Sequence, residues 1–302
     1  MEIHHHIGVK KNGTKIEVFH KHPDTQIKLY DIDMRPIAGA SPYGWLRTRV
    51  INLMRKHSGT GALINQDALE GYRGSAAMID YVLRFVGHPN GKLDRIFLTG
   101  SSDAVRSRVK IVQDELFDIA KSNLEEKGTF HLFEVGPGYL RTQLNLLDRL
   151  KKARYDVRNV KMVGADLHPG VVKAASQIIQ YEGIGDMVTI HEGDAKHCLE
   201  KLNMTFDAVL AEGVFEYSDM QGSTNLARTL GSYLRPQGHL MASATHAVPK
   251  KLLIEYLDIL LNQRTREEFV QIYKHCGFEE PRLIATEPPN ISVGIGQKRG
   301  ES

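Results

Sequence analysis

The chain contains 302 residues, enough for one large domain or two smaller ones. Its hydrophobic content of 41% and charged content of 25% are typical of a globular protein. The formal net charge of +3 is too small to indicate a nucleic-acid-binding surface. No stretch resembles a secretory signal or is apolar for long enough to cross a bilayer, so we expect a cytoplasmic protein without a membrane partner.

The sequence shows no pattern that is typical of a metal site. The two cysteines, Cys198 and Cys276, show no metal-ligand spacing and are too few for a disulfide framework, so we predict that both are buried. The run His4-His5-His6 could bind a metal, but it has no partners nearby in the sequence, and we interpret it as a loose terminus. We therefore predict no metal site.

The first part of the chain predicts β-structure followed by helices. Asn12-Gly13 lies between extended runs, which is the strongest short hairpin signal, and a further strand is expected before Pro36. Apolar residues at helical spacing then predict helices over about 45–58, 66–85 and 101–123. We therefore expect residues 1–128 to form a β-hairpin and a mainly helical segment.

Two clusters in this segment could contact an acceptor molecule. Tyr72 and Arg73 lie between glycines, and Arg106 and Arg108 lie in an otherwise apolar helix. Arginine would suit a carboxylate or phosphate, and tyrosine an apolar or aromatic body. The alternative for each cluster is a solvated or salt-bridged helix face. We recognise no family resemblance for residues 1–128.

From Thr129 onward, strand and helix patterns alternate, as a parallel α/β sheet requires. The stretch 131–140 predicts a buried strand that turns sharply into a helix. Glu134 lies at the tip of this strand, and Gly136 and Gly138 remove side chains that would hold a ligand away from the backbone. A dinucleotide-binding G-x-G-x-x-G motif would need glycine in place of Arg141.

This stretch resembles the first motif of class I S-adenosylmethionine-dependent methyltransferases, an acidic residue followed by alternating glycines. It departs from the family pattern at Leu140, where a third glycine is usual. Further motifs of the family follow in order, and the resemblance covers roughly residues 129–299. The ordered series is far more specific than any single motif.

The resemblance implies a role for each later motif. Asp166 ends the strand 160–166, at the position where the family holds the acid that binds both ribose hydroxyls. Its alternative role is as a partner of the following helix dipole. Asp194 would meet the adenine amino group, and the amide of Ala195 a ring nitrogen. Glu212 lies in the motif whose loop borders the methyl group and the acceptor. The stretch 234–238 resembles the Lys/Arg-Pro-Gly-Gly sequence that the family often has before its fifth strand, and it leads into a strand expected over 239–245.

The predicted fold is a Rossmann-like α/β sheet of the class I methyltransferase type. The strands 282–286 and 291–295 are expected to close this sheet as an antiparallel hairpin. Two domains are predicted: a cap or substrate segment, 1–128, and an S-adenosylmethionine-binding domain, 129–302. The predicted cofactor-binding residues are Glu134, Gly136, Gly138, Asp166, Leu167, Asp194, Ala195 and Glu212.

The catalytic residue is not predicted. Transfer from a sulfonium needs the methyl carbon and the nucleophile held close together in a dry pocket, and it need not use a general base. Glu212, Glu216, Tyr217 and His246 all follow core strands and are candidates for a base, without a choice among them. We expect the acceptor site to lie between residues 1–128 and the carboxyl ends of the core strands.

The predicted function is methyl transfer from S-adenosylmethionine to an oxygen or nitrogen atom. A small-molecule acceptor is favoured over nucleic acid, because the sequence has no basic stripe, RNA-binding motif or Asn-Pro-Pro-Tyr sequence. One alternative is a regulatory protein that binds S-adenosylmethionine without catalysis. Another is a different enzyme of similar fold, either an aminopropyl transferase or a nicotinamide oxidoreductase. The sequence does not indicate an oligomeric state.

Overall fold

The computed structural model describes residues 6–12, 15–21, 26–33, 101–246 and 262–300. The chain divides into two compact units. The first consists of residues 106–248 and 261–302 together with 1–3, and the second of residues 4–105 and 249–260. The helices predicted over 45–58 and 66–85 lie outside the described residues, and so do Tyr72 and Arg73.

The second unit contains an antiparallel sheet of three strands. These are β1 (His6–Asn12), β2 (Lys15–Lys21) and β3 (Gln26–Asp33), in the order β1-β2-β3. The pairing of β1 with β2 runs as far as Asn12 opposite Lys15. Two residues therefore connect the strands, which confirms the hairpin predicted from Asn12-Gly13.

The first unit contains a seven-stranded sheet. Its order is β6-β5-β4-β7-β8-β10-β9, the first five strands being parallel and β10 antiparallel to both β8 and β9. The strands are β4 (Phe130–Val135), β5 (Val160–Asp166), β6 (Val188–Glu192), β7 (Phe206–Ala211), β8 (Leu234–Thr245), β9 (Arg282–Ala285) and β10 (Ile291–Gln297). The predicted α/β sheet and its terminal hairpin are confirmed.

Six helices are described around this sheet, and local sequence explains several of their ends. Asp194 accepts backbone N–H groups at the start of α4, and Thr265 forms a capping box with Glu268 at the start of α6. Gly183 ends α3 in the left-handed conformation. The helices are α1 (Ser101–Lys127), α2 (Arg141–Lys152), α3 (Pro169–Glu182), α4 (Ala195–Leu202), α5 (Met220–Ser232) and α6 (Arg266–Lys274).

Helix α1 is longer than predicted, since it runs to Lys127 rather than to about Asn123. From Arg106 it belongs to the same compact unit as the sheet, although the sequence assigned these residues to the N-terminal segment. Its buried stripe recurs every fourth residue, which places Arg108 at a core position. The stripe consists of Ala104, Arg108, Val112, Leu116 and Ala120.

Two local predictions need correction. Strand β8 begins at Leu234, opposite Phe206, whereas the strand was expected only from His239, after the stretch 234–238. The register then shifts, and Gln237 has a φ of 62°, so the stretch 234–238 forms an irregular start of the strand. Cys198 is buried as predicted, but Cys276 is only partly buried.

The amino-terminal edge of the sheet contains a buried carboxylate with several donors. Asp207, 1% exposed, follows the first residue of β7. Its Oδ2 accepts a hydrogen bond from His131 N at 2.8 Å, and Arg235 Nη1 donates to both carboxylate oxygens at 2.9 and 2.8 Å. Lys127 Nζ lies 3.5 Å from Oδ1. These contacts bind the starts of β4, β7 and β8 together.

Candidate functional site

The carboxyl ends of three neighbouring strands place acidic side chains at the opposite edge. Glu134 of β4 is in register with Gly164 of β5 and Leu210 of β7. Strand β5 ends at Asp166, and Glu212 follows β7 directly after Ala211. The structure therefore brings Glu134, Asp166 and Glu212 into one row.

Glu134 is buried without a hydrogen bond to its Oε2. The residue is 4% exposed, and no donor among the described residues reaches this atom. Burial raises the pKa of the Glu134 carboxyl well above its ordinary value of 4.5, and repulsion from Glu212 and Asp166 raises it further. A buried carboxylate without a donor lowers the stability of the fold, so this position favours a ligand that carries a donor or a positive charge.

The turn after β4 exposes backbone rather than side chains. Gly136 and Gly138 have φ values of 64° and 58°, in the left-handed region that favours glycine. Gly136 N donates to Ala165 O at 2.8 Å, and a Cβ at Gly136 would meet no atom within 4 Å. Leu140 takes the same left-handed conformation, with a φ of 60°. Leucine adopts this conformation at a cost of about 1–2 kcal/mol.

A second buried polar group without a partner follows this turn. Gln143, in the first turn of α2, is 1% exposed, and neither of its amide atoms bonds to a described residue. Leu140, the residue before this helix, also provides no side-chain cap. Gln143 could not be recognised from the sequence, because glutamine in a first helical turn is ordinary and only its burial makes it unusual.

Asp166 lies at the end of β5, as predicted. Its Oδ1 accepts a hydrogen bond from His168 N at 2.9 Å. Burial raises the pKa of the Asp166 carboxyl, while backbone hydrogen bonds from His168 and Gly138 act in the opposite direction. The next residue, Leu167, is 66% exposed, so an apolar side chain stands in solvent beside the carboxylate.

Asp194 and Ala195 lie after β6, at the start of α4. Asp194 Oδ1 accepts hydrogen bonds from Lys196 N at 2.9 Å and from His197 N at 3.3 Å. Ala195 is buried. The cap explains locally why an aspartate stands here, and the family motif alone did not predict this structural role.

Glu212 forms an ion pair with Arg108 of α1. Arg108 Nε donates to Glu212 Oε1 at 2.8 Å, and both side chains are nearly buried. Although burial by itself would lower the pKa of Arg108, the carboxylates of Glu212 and Glu216 hold that pKa above its ordinary value. The guanidinium lies against Gly213, where a Cβ would be 3.4 Å from Nη1. Of the predicted substrate residues, Arg108 thus reaches the strand ends, whereas Arg106 is only partly buried.

Glu216 is the other buried carboxylate at this end of the sheet. It is 2% exposed, and its Oε1 accepts hydrogen bonds from Ser243 Oγ at 3.1 Å and from Thr245 Oγ1 at 3.3 Å. Its Oε2 is buried and bonds to none of the described residues. Burial raises the pKa of the Glu216 carboxyl, and the charge of Arg108 opposes this effect.

The other two candidates for a general base differ in their surroundings. His246 uses both ring nitrogens, since Nδ1 is 2.8 Å from Arg264 O and Nε2 is 2.7 Å from Ser292 Oγ. These contacts fix the ring and leave no nitrogen available for an acceptor. Tyr217 is 44% exposed.

Arg264 is a residue of the candidate site that was not predicted from the sequence. Its guanidinium donates to Phe215 O at 2.9 Å, to the carbonyl oxygens of Ser218 and Asp219, and to Ser223 Oγ at 2.7 Å. It therefore fixes the segment between β7 and α5 that contains Glu216. No local signal points to this role, because Arg264 is far from that segment in the sequence.

Neither a metal centre nor a membrane helix emerges from the parts of the chain that the structure describes. These residues contain no group of three His, Cys, Asp or Glu side chains placed to hold a metal ion. None of their helices combines the length and apolar character that crossing a bilayer requires.

Comparison with known proteins relates the fold to solved structures. No protein-family model matches the sequence, and no curated protein does. A possible exported protein from Bordetella parapertussis is 17% identical with a TM-score of 0.63, covering 83% of this chain and 87% of that chain. The carbon methyltransferase CurJ is 10% identical with a TM-score of 0.55, covering 97% of this chain and 76% of that chain.

The fold is that of the class I methyltransferases. This conclusion rests on the sheet order together with the similarity to CurJ. Magnesium protoporphyrin IX methyltransferase (ChlM) from Synechocystis PCC 6803, solved with bound SAH, is also similar, at 14% identity and a TM-score of 0.49 over 73% of this chain and 93% of that chain. The predicted class I methyltransferase fold is confirmed, and the roles predicted for individual site residues stay predictions.

Proposed function

We propose that the chain is an S-adenosylmethionine-dependent methyltransferase. The observation that carries this proposal is the buried Glu134 Oε2, which lacks a donor at the end of β4 beside the open backbone of Gly136. A ligand with a positively charged donor would satisfy that oxygen. S-adenosylmethionine carries an ammonium group and a sulfonium, and the carboxylate row of Glu134, Asp166 and Glu212 favours both.

The same charges argue against a nicotinamide dinucleotide. Its two phosphates would bring negative charge to a row of carboxylates, and the buried Arg108 beside that row is already paired with Glu212. A dinucleotide-binding G-x-G-x-x-G motif would also need glycine at the position of Arg141. Both observations favour the methyltransferase over the oxidoreductase alternative.

The proposal assigns the predicted residues to parts of the cofactor. Asp166 would take the ribose hydroxyls, and the exposed side chain of Leu167 would cover one face of the purine. Asp194 and the N–H of Ala195 would meet the adenine edge, and Glu134 the ammonium group. When bound, the cofactor supplies a methyl group already activated by sulfonium. The residues of this chain then hold it in place and exclude water.

The acceptor that we propose is a small molecule methylated on oxygen or nitrogen. This part of the proposal is supported by the small net charge of +3, since a nucleic-acid-binding surface would need a larger excess of lysine and arginine. The acceptor side would lie beyond Glu212, where Arg108 and Glu216 are buried.

The test separates cofactor binding from catalysis. Calorimetric titration of the full chain with S-adenosylmethionine, S-adenosylhomocysteine and NAD should show binding of the first two and none of NAD. Incubation with methyl-labelled S-adenosylmethionine and candidate acceptors should then transfer label. Binding of NAD without binding of S-adenosylmethionine would contradict the proposal. Tight binding without transfer to any acceptor would instead support the regulatory alternative.

A further inference from the structure

The carboxyl edge of the sheet has two halves with different charges. On the side of β4 and β5, repulsion from Glu212 and Asp166 raises the pKa of the Glu134 carboxyl. On the side of β7 and β8, attraction to Glu212 and Glu216 raises the pKa of Arg108. Glu212 therefore lies between the proposed cofactor row and a second pair of groups, Arg108 and Glu216.

This second pair is incompletely bonded. Arg108 uses Nε for Glu212, and its Nη1 and Nη2 donate to no side chain or carbonyl in the described part of the chain. Glu216 uses Oε1 for Ser243 and Thr245, and its Oε2 accepts nothing there. The carboxylate of Glu216 raises the pKa of Arg108, and the charge of Arg108 lowers the pKa of Glu216, but the ion pair of Arg108 is with Glu212. Unused hydrogen-bond donors of Arg108 and an unused acceptor atom of Glu216 thus lie in the same part of the site.

We propose that Arg108 and Glu216 hold the reacting hydroxyl group of the acceptor between them, so that Glu216 removes its proton and Arg108 stabilises the oxygen anion. This inference rests on the proposed methyltransferase function. A hydroxyl fits both groups, because its oxygen accepts from Arg108 while its hydrogen is donated to Glu216.

The proton and electron balance is complete without another reactant. The hydroxyl proton passes to Glu216 Oε2, and the oxygen lone pair forms the new bond to the methyl carbon. The electron pair of the breaking carbon–sulfur bond stays on sulfur, which becomes neutral. Glu216 then loses its proton to solvent, which restores the starting state.

Other acceptor groups fit this pair poorly. An amine that attacks as a nucleophile becomes positively charged, and Arg108 would repel that charge. A carboxylate has no proton to give to Glu216 and would face its negative charge. A phenolic or enolic hydroxyl becomes negatively charged as it loses its proton, and a guanidinium stabilises that charge. The pair therefore selects an oxygen acceptor of this acidic kind.

The surroundings of Glu216 hold its carboxylate in one orientation. Ser243 Oγ also accepts a hydrogen bond from Gly213 N at 2.9 Å, which links β8 to the turn that the guanidinium of Arg108 lies against. The charged groups that act on Glu216 are Arg108 from α1 and Arg264 from the segment before α6. With Oε1 fixed by Ser243 and Thr245, Oε2 is the atom left to accept a proton.

The first experiment tests the acceptor class. The full chain is incubated with methyl-labelled S-adenosylmethionine and matched aromatic compounds that differ only in a hydroxyl, an amino or a carboxyl group. Label should appear on the hydroxyl compounds and not on the others. Label confined to amino or carboxyl compounds, or on no compound, overturns the proposal. If S-adenosylmethionine still binds, the proposed cofactor site is unaffected by that result.

A second readout does not depend on methyl transfer. Para-nitrophenol changes colour on ionisation, so its titration can be followed in the presence of the protein and S-adenosylhomocysteine. Held between Arg108 and Glu216, the phenol should ionise at a pH lower by about one unit than in free solution. An unchanged titration overturns the proposal.

Variants separate this role from a structural one. Glu216→Gln should lower transfer to hydroxyl compounds by about 100-fold or more, and its rate should rise with pH only as the acceptor itself ionises. In the parent chain the rate should already begin to rise with pH at a lower pH, as Glu216 loses its proton.

The second variant is Arg108→Lys, which keeps the charge opposite Glu212 but loses the planar fork. Its transfer rate should lie between those of the parent and Glu216→Gln. The control is Lys110→Gln, an exposed change on the same helix, which should behave as the parent. An unchanged pH profile in Glu216→Gln, with unchanged affinity for S-adenosylhomocysteine, would refute the assignment.

Discussion

Two buried carboxylates on neighbouring strands have opposite surroundings. Asp207, near the start of β7, accepts from His131 N and Arg235 and lies close to Lys127. Glu134, near the end of β4, has an oxygen without any donor in the described structure. A carboxylate thus has hydrogen bonds to both of its oxygens at the amino-terminal edge, whereas at the carboxyl edge one oxygen of a carboxylate has none.

The difference separates stability from function. A buried charge with several donors can join secondary structure elements, while one without donors lowers stability unless a ligand binds. Mutations at the amino-terminal edge are therefore expected to change the free energy of unfolding, and mutations at the carboxyl edge to change ligand affinity. Four changes test this distinction.

The largest effect is expected at the amino-terminal edge. Asp207→Asn removes the negative charge opposite Arg235 and Lys127 and should lower the free energy of unfolding by about 3 kcal/mol. Urea denaturation measures the loss. Asp118→Asn, an exposed change on α1, is the control and should unfold as the parent does. A loss for Asp207→Asn that is no larger than for the control would remove the contrast between the two edges.

At the carboxyl edge, Asp166→Ala should act mainly on the cofactor. Losing hydrogen bonds to a charged group costs roughly 1.5–3 kcal/mol, so the affinity for S-adenosylmethionine should fall about 10- to 150-fold. Asp166→Ala also removes the acceptor of His168 N, so Asp166→Asn, which keeps an oxygen, is the companion variant. Unaltered affinity in calorimetry would take Asp166 out of the proposed site.

Glu134→Gln should stabilise the ligand-free protein, the reverse of Asp207→Asn. Because the folded-state pKa of Glu134 is raised, the folded chain keeps this proton above pH 4.5 while the unfolded chain loses it. Stability contributed by this group therefore falls as pH rises from 4.5 to the folded-state pKa. The variant should lack that fall, and at neutral pH it should be more stable by about 1 kcal/mol, yet bind S-adenosylmethionine more weakly. Parallel pH–stability curves for the two proteins would contradict the assignment.

The smallest effect concerns backbone strain at the amino-terminal edge. Gln237 is exposed and left-handed, with a φ of 62°, a conformation that glycine adopts without strain. Gln237→Gly should raise the free energy of unfolding by about 0.5–1 kcal/mol without changing cofactor binding. Thermal unfolding and calorimetry measure the two quantities. A destabilised Gln237→Gly variant would show that the side chain matters more than the strain.

Much of the fold could be predicted because its signals are local. Short sequence patterns indicate the alternating apolar strands and helices. For β5, the predicted bounds agree with the observed strand, Val160–Asp166. The hairpin at Asn12 and the terminal pair β9–β10 also follow from turn and strand residues. The start of β8 could not be predicted, because an irregular register has no sequence period.

The candidate site was predictable only in its strand ends. Glu134, Asp166 and Glu212 follow apolar runs, so their position is visible in the sequence. The pairing of Arg108 with Glu212 joins residues 104 positions apart, and no local pattern specifies such a contact. For the same reason the roles of Glu216 and Arg264 depend on tertiary packing.

The segment before α6 has a consequence for how Glu216 is positioned. Arg264 N donates to Thr245 O at 3.0 Å, so this segment lies beside the end of β8. Asn262 N donates to Glu216 O at 2.7 Å, while Thr245 Oγ1 donates to the carboxylate of the same residue at 3.3 Å. The backbone and the side chain of Glu216 are therefore bonded to two stretches of chain that are also bonded to each other. A shift of either stretch would move the main chain and the carboxylate of Glu216 together, so this carboxylate keeps its place relative to β8.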